Sequence, residues 1–186
     1  MKNRYFLLPV AMFFMASFID PAQASDSWLS KPYYLLKTGT YSVNLRGVDR
    51  SPEPVMSAGL LVGIGFGYQR DFGLELELDY GLVESEYRVG QSQRRVGLWT
   101  AGSYFSYRRV LSQDFYLKGK TGLVLENLSI IEGNSRQQVT SEGLSVGGGF
   151  GWLVHDLLGR LVTFEFQATQ IEADVLSYQL GAHVRF

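Results

Sequence analysis

The sequence predicts an all-β protein, an eight-stranded antiparallel up-and-down transmembrane β-barrel. Three observations carry this. Apolar and polar residues alternate through eight segments of ten or more residues. Beyond residue 24 no stretch is apolar for long enough to cross a membrane as a helix. The polar side of the alternation holds glycines and a balanced set of charges, residue types that a water-exposed strand face would not favour.

Composition narrows the class. At 186 residues a single domain is expected, and a formal net charge of −1 gives no basic field for nucleic acid. The chain has 21 Gly, 11 Tyr and 12 Phe but 5 Pro, the balance of strands joined by tight turns. Cysteine is absent, which excludes disulfides, thiolate metal sites, a Cys nucleophile and an N-terminal lipidated Cys. No cofactor is expected. Residues 1–24 read as a cleaved signal peptide: Lys2 and Arg4 precede an apolar stretch over 5–19, and Ala22-Gln23-Ala24 has the small-residue cleavage pattern. Residues 25–186 then form the barrel domain.

Strands are predicted in order over 33–43, 56–69, 74–87, 96–108, 115–130, 143–154, 161–170 and 175–186. In the second, Phe66 and Tyr68 alternate with Gly65 and Gly67. In the third, Leu74, Leu76, Leu78 and Tyr80 alternate with Glu75, Glu77 and Asp79. The sixth alternates Val146, Gly148, Phe150 and Trp152 with Ser145, Gly147, Gly149 and Gly151. The seventh sets Val162, Phe164, Phe166 and Ala168 against Thr163, Glu165, Gln167 and Thr169. Short connections at 70–73, 110–114 and 155–160 alternate with longer polar ones at 44–55, 88–95 and 132–142, the fourth of that set (171–174) being brief. Short turns at one end and longer loops at the other are expected of an outer-membrane barrel.

A soluble barrel also alternates, with its apolar face inside. The energetics favour the reverse. Glu75, Glu77, Asp79, Glu126 and Glu165 are matched on the polar face by Arg108, Lys118, Lys120 and Arg185. A Lys or Arg facing lipid at mid-membrane costs roughly 2–4 kcal/mol, so nine charged groups would exceed the roughly 5–15 kcal/mol of net stability a domain has. They belong inside, as a lumenal ion-pair network, with glycines giving room in a narrow lumen. With the N-terminus periplasmic, Tyr68, Phe72, Tyr107, Phe115, Trp152 and Phe186 fall near one rim, and Tyr80, Tyr87 and Trp99 near the other, as two aromatic girdles.

The last segment, from Ser177 to Phe186, resembles the C-terminal strand of bacterial outer-membrane barrels, a terminal Phe186 preceded by Val184, Ala182, Leu180 and Tyr178 at alternate positions. With the leader and the Gly-aromatic strands, the chain resembles the small eight-stranded OmpA-like and opacity-like group. The resemblance implies an outer-membrane location, outer-membrane lipid and lipopolysaccharide as surroundings, and an assembly signal at Tyr178, Leu180, Ala182, Val184 and Phe186 read by the barrel-assembly machinery. A monomer is expected.

No catalytic or metal site is expected. Some eight-stranded barrels modify lipid A, but His155 falls in a predicted periplasmic turn and His183 three residues from the C-terminus, the wrong end for outer-leaflet chemistry. The strings Gly63-Ile-Gly65-Phe-Gly67 and Gly147-Gly-Gly-Phe-Gly151 lie within strands and open no helix, so neither is a nucleotide motif. Glu75 and Glu77 read as ion-pair filling. Arg46 and Arg50 in the first predicted loop, with Arg88, Arg94 and Arg95 in the second, are candidates for phosphate or sulfate contact on lipopolysaccharide or host glycans. The expected function is a non-enzymatic outer-membrane protein of envelope integrity or surface interaction. A small-solute pore is the alternative, and a lipid A-modifying enzyme a further one.

Overall fold

The computed structural model describes residues 33–44, 53–66, 71–89, 92–157, 160–171 and 175–184. They form strands β1 (Tyr33–Val43), β2 (Val55–Phe66), β3 (Phe72–Gly81), β4 (Ser85–Val89), β5 (Ser92–Val110), β6 (Phe115–Glu132), β7 (Ser135–Leu157), β8 (Arg160–Ile171) and β9 (Val175–Val184). Every ladder is antiparallel, and β1 pairs with β9 to close the sheet on itself. The predicted third segment is split. A bend at residues 82–84 separates β3 from β4, and β5 pairs with both, so nine strands make an eight-stranded barrel. Closure lets the wall satisfy its backbone groups without an edge, which a membrane interior requires.

The alternation becomes an inside-out arrangement. Along β3, Phe72, Leu74, Leu76, Leu78 and Tyr80 face out and are exposed, while Glu75, Glu77 and Asp79 face in and are buried. Leu36, Leu60, Leu123, Leu144, Phe150 and Leu180 continue the apolar outer wall around the barrel. From Phe72 to Tyr80 the strand rises about 27 Å, or about 21 Å of barrel height at a tilt near 40°, close to the apolar band of a membrane barrel. At the termini-side rim, Phe115 stacks on Trp152 with ring centroids 6.2 Å apart, and Phe72 lies 5.3 Å from Tyr107. Tyr68 and Phe186 lie outside the described residues.

The interior is layered rather than uniformly polar. Tyr41, Val43, Val55, Leu98, Val124, Ile171 and Val175, from six strands, close the lumen at the end away from the termini. Val110, Tyr116 and Leu153 form an apolar cluster at the termini end, with the charged groups between. Two close approaches explain glycines in the wall. Gly63 lies directly across the ladder from Tyr33, and Gly151 from Tyr116. A Cβ on either would run into the tyrosine ring that covers it.

Two connections differ from expectation. The polar stretches 88–95 and 132–142 are mainly strand: β4 and β5 pair from Val89↔Ser92 inward, and β6 and β7 from Glu132↔Ser135. Gly133-Asn134 is the whole turn of the latter hairpin, with Gly133 at φ 56°, a conformation that costs other L-residues energy. These strands project past the barrel's end, where water on both faces removes the need for an apolar side, and so the period-two signal fades. Tyr87 is a further correction. It is buried on the inward side of β4 and does not join an aromatic girdle.

Candidate functional site

Two features hold the charged side chains: the packed lumen and the sheet that β4, β5, β6 and β7 raise beyond it. In the lumen, Glu75 is 1% exposed and gathers groups from three other strands. Its Oε1 accepts from Tyr33 Oη at 2.5 Å, Ser106 Oγ at 2.9 Å and Arg108 at 2.7 Å, and Lys118 Nζ lies 2.8 Å from Oε2. Lys118 also reaches Glu165 at 2.8 Å. Tyr116 Oη donates to the other Glu165 oxygen at 2.5 Å, and Gln167 donates to Glu165 as well. The Arg108 guanidinium stacks 4.1 Å over the Tyr33 ring.

One layer along, Glu77 bridges Lys120 at 2.5 Å and Lys37 at 3.1 Å. Lys37 continues to Asp79 at 3.2 Å and Gln179 at 2.8 Å, and Gln179 donates to Asp79 at 2.8 Å. Tyr41 Oη, 3.1 Å from Thr100 Oγ1, links this layer to the apolar plug above it. Alternation explains why β3 contributes three carboxylates: every second residue of one strand points inward. Burial this deep is tolerated because each charge meets opposite charge and further hydrogen bonds. Glu126 is also buried in the lumen, on β6. Arg185 lies outside the described residues.

Sequence reasoning missed Lys37, Tyr33, Tyr116 and Gln179. The parity of Tyr33, Leu35 and Lys37 in the first segment was the available signal for Lys37. The tyrosines shared that parity, Tyr33 with Lys37 and Tyr116 with Lys118 and Lys120, but an aromatic reads as outward until its cross-strand glycine is known.

The protruding sheet holds Arg88, Arg94 and Arg95, and it corrects their expected setting. Arg88 is on β4, and Arg94 and Arg95 are on β5, not in a loop. Arg94 pairs with Glu132 at 2.9 Å and Arg95 with Glu84 at 3.1 Å. Arg88, Arg95 and Arg136 share one face of the sheet, since Arg95 and Arg136 both lie in register with Ile131, and Arg88 is two residues from Arg95's partner Glu86. A small cleft of about 110 Å³ there is lined by Glu86, Tyr87, Arg88 and Gln93. Arg46 and Arg50 lie outside the described residues.

At the termini end, Asp71 sits in the connection before β3, where burial raises its carboxyl above the usual value and Arg109 opposes the rise. His155 belongs to β7 rather than a turn, beside an irregularity in the β7–β8 ladder, and His183 to β9. On β9, Tyr178 and Leu180 face outward, and so does Ala182. Val184 closes that strand against Val162, while Phe186 lies outside the described residues.

The fold is shared with solved small barrels. Neisserial surface protein A is similar with a TM-score of 0.60 and 15% identity, over 83% of this chain and 97% of that one. Ail, the attachment invasion locus protein of Yersinia pestis, gives 0.56 and 11% over the same shares, and its complex with the heparin analogue sucrose octasulfate 0.51 and 12%. The N-terminal β-barrel domain of Pseudomonas aeruginosa OprF gives 0.50 and 14%, again over 83% and 97%. No protein-family model matches the sequence, and none of the curated proteins compared with it does.

Proposed function

We propose that this chain is a non-enzymatic outer-membrane protein: a barrel sealed by its own side chains that holds a rigid sheet above the membrane and contributes to envelope integrity or surface interaction. The observation that carries it is the inversion of the barrel, with ion pairs along its axis and exposed leucines and aromatics around its wall. Such a surface is stable in hydrocarbon and not in water. The fold shared with a Neisserial surface protein and an attachment invasion locus protein supports the reading. In this reading residues 1–24 are removed on export. The termini lie in the periplasm, and the alternate residues from Tyr178 to Phe186 signal to the assembly machinery.

Conductance in planar bilayers tests it against the pore alternative. Lys37, Glu77 and Lys120 tie β1, β3 and β6 across the lumen, and the apolar layer covers them, so the expected record has no sustained open state. A steady, large conductance would establish a channel instead. Lipid A acylation is expected to be unchanged on overexpression, and a change would restore the enzymatic alternative.

A second reading, polyanion contact, is favoured by Arg88, Arg95 and Arg136 on one face of the protruding sheet, and by the sulfated ligand in the Ail complex. Phosphate groups of lipopolysaccharide and sulfate groups of host glycans share the geometry that arginine recognises. Arg94 and Arg95 are already ion-paired on opposite faces of the sheet, so an anion on the Arg95 face competes with Glu84 and one on the other face with Glu132. Arg94→Ala with Arg95→Ala is expected to weaken retention on heparin, and unchanged retention would remove this reading.

A further inference from the structure

The ladder between β6 and β7 begins at Ser135, but the one between β7 and β8 begins at Ser145. Residues 135–144 therefore present a strand edge with no partner strand among the described residues. Its first six residues are exposed. The opposite edge of the same sheet is unlike it: β4 is five residues long, and Ser85 Oγ donates there to the Glu53 carbonyl at 2.6 Å. Natural edges are protected by lysine, proline, bulges or brevity. The β7 edge runs Ser-Arg-Gln-Gln-Val-Thr-Ser-Glu-Gly-Leu, without lysine or proline, and its register against β6 is unbroken.

We propose that this edge docks onto a second copy of the chain, β7 pairing antiparallel with β7 about a two-fold axis at Val139. The segment is complementary to itself. With Val139 opposite Val139, Arg136 falls opposite Glu142, Gln137 opposite Ser141 and Gln138 opposite Thr140, on both sides of the axis. Arg136 and Glu142 lie on the same face of the strand, as a cross-strand ion pair requires. Moving the axis to Gln138 or Thr140 removes both ion pairs.

The backbone agrees with that register. Glu132 and Ser135 flank a two-residue turn and form the hydrogen-bonded pair that closes it. The odd-numbered residues of β7 therefore bond to β6. Arg136, Gln138, Thr140 and Glu142 aim their N–H and C=O groups at the open edge. Pairing through these four in each copy supplies about eight hydrogen bonds, with the two Val139 Cα atoms about 4.5 Å apart as a non-hydrogen-bonded pair.

Symmetry then fixes what the contact joins. The axis of an antiparallel pair is normal to the sheet, and this sheet continues the barrel wall. Half a turn about that axis inverts the partner, so the two barrels enter facing bilayers. The contact links apposed membranes, a homotypic adhesion. This step rests on the reading above that the barrel spans the outer membrane with this end outside.

The absence of cysteine makes the test direct. Folded Val139→Cys in detergent micelles is expected to form a disulfide-linked dimer under mild oxidation, since the Cα separation suits the bond. Gln137→Cys and Ser141→Cys are each expected to stay monomeric alone and to cross-link when mixed. Arg136→Glu on the Val139→Cys background should cut cross-linking by about tenfold, and Glu142→Arg added to it should restore the yield. Vesicles carrying Gln137→Cys, mixed with vesicles carrying Ser141→Cys, should yield the heterodimer across two bilayers. A folded Val139→Cys protein that stays monomeric overturns the proposal, and so does cross-linking indifferent to Arg136→Glu. A heterodimer formed only when both variants share a vesicle overturns the facing arrangement. Failure of the underlying membrane reading is distinguished separately, as a chain that is water-soluble without detergent and shows no heat-dependent shift in gel mobility.

Discussion

Replacing Glu75 by alanine is the sharpest test of the ionic lumen. Four groups meet its carboxylate: the Tyr33 hydroxyl at 2.5 Å, Ser106 at 2.9 Å, Arg108 at 2.7 Å and Lys118 at 2.8 Å. All are buried, so none regains water when the carboxylate is removed. Lys118 keeps Glu165 at 2.8 Å, which limits the damage on that side. Arg108 loses its 2.7 Å contact inside the lumen. Removing one partner of a buried ion pair costs about 3–5 kcal/mol, and at about 2 kcal/mol per molar urea the unfolding midpoint should fall by about 2 M. Glu75→Gln keeps an oxygen for Tyr33 and Ser106 while losing the charge, so a smaller loss of about 1.5–3 kcal/mol is expected. The assay is reversible urea unfolding in micelles, followed by tryptophan emission and by gel mobility of the folded barrel. If both variants unfold within about 1 kcal/mol of the parent, the lumenal charges do not hold the walls together.

Four further outcomes follow from the same geometry. Leu76→Arg, on the outer wall where Leu76 is 64% exposed, should destabilise the barrel by about 2–4 kcal/mol in bilayers, and a neutral effect there would argue that this face does not meet lipid. Gly63→Ala should cost about 1–3 kcal/mol in urea unfolding because its methyl meets the Tyr33 ring. Gly148→Ala, whose nearest neighbour would lie at 3.4 Å, should be close to silent. Gly133→Ala meets nothing within 4 Å but must hold φ 56°. A penalty of about 1–2 kcal/mol is therefore expected, read as faster amide exchange near Glu132 and Ser135.

Much of the barrel was legible because period two is a local property. Whether Glu75 and Leu76 lie on opposite faces depends on the pleat of one strand alone, and β1 spans Tyr33–Val43, the bounds its alternation predicts. The same local logic failed past the end of the barrel. Residues 135–142 read as a loop because all but Val139 are polar, although their backbone pairs with β6 as regularly as the lumen-lining part does. Leu82 and Val83 read as a continuing strand, yet they mark the bend between β3 and β4.

The amino-acid order alone determined that the chain alternates, that its charges balance on one side of the alternation, and that leucine and aromatics occupy the other. It could not say which cation meets which carboxylate. Lys120 reaches Glu77 and Lys118 reaches Glu75 because β5 alone separates β6 from β3 in the curved wall, and Gln179 reaches Asp79 once β9 has paired with β1. Tyr33 was free to be taken as a wall residue until the β1–β2 register set it over Gly63. Pairing register and closure are long-range events, decided by the whole sheet at once, and they place the ion pairs, the apolar plug and the open edge of β7.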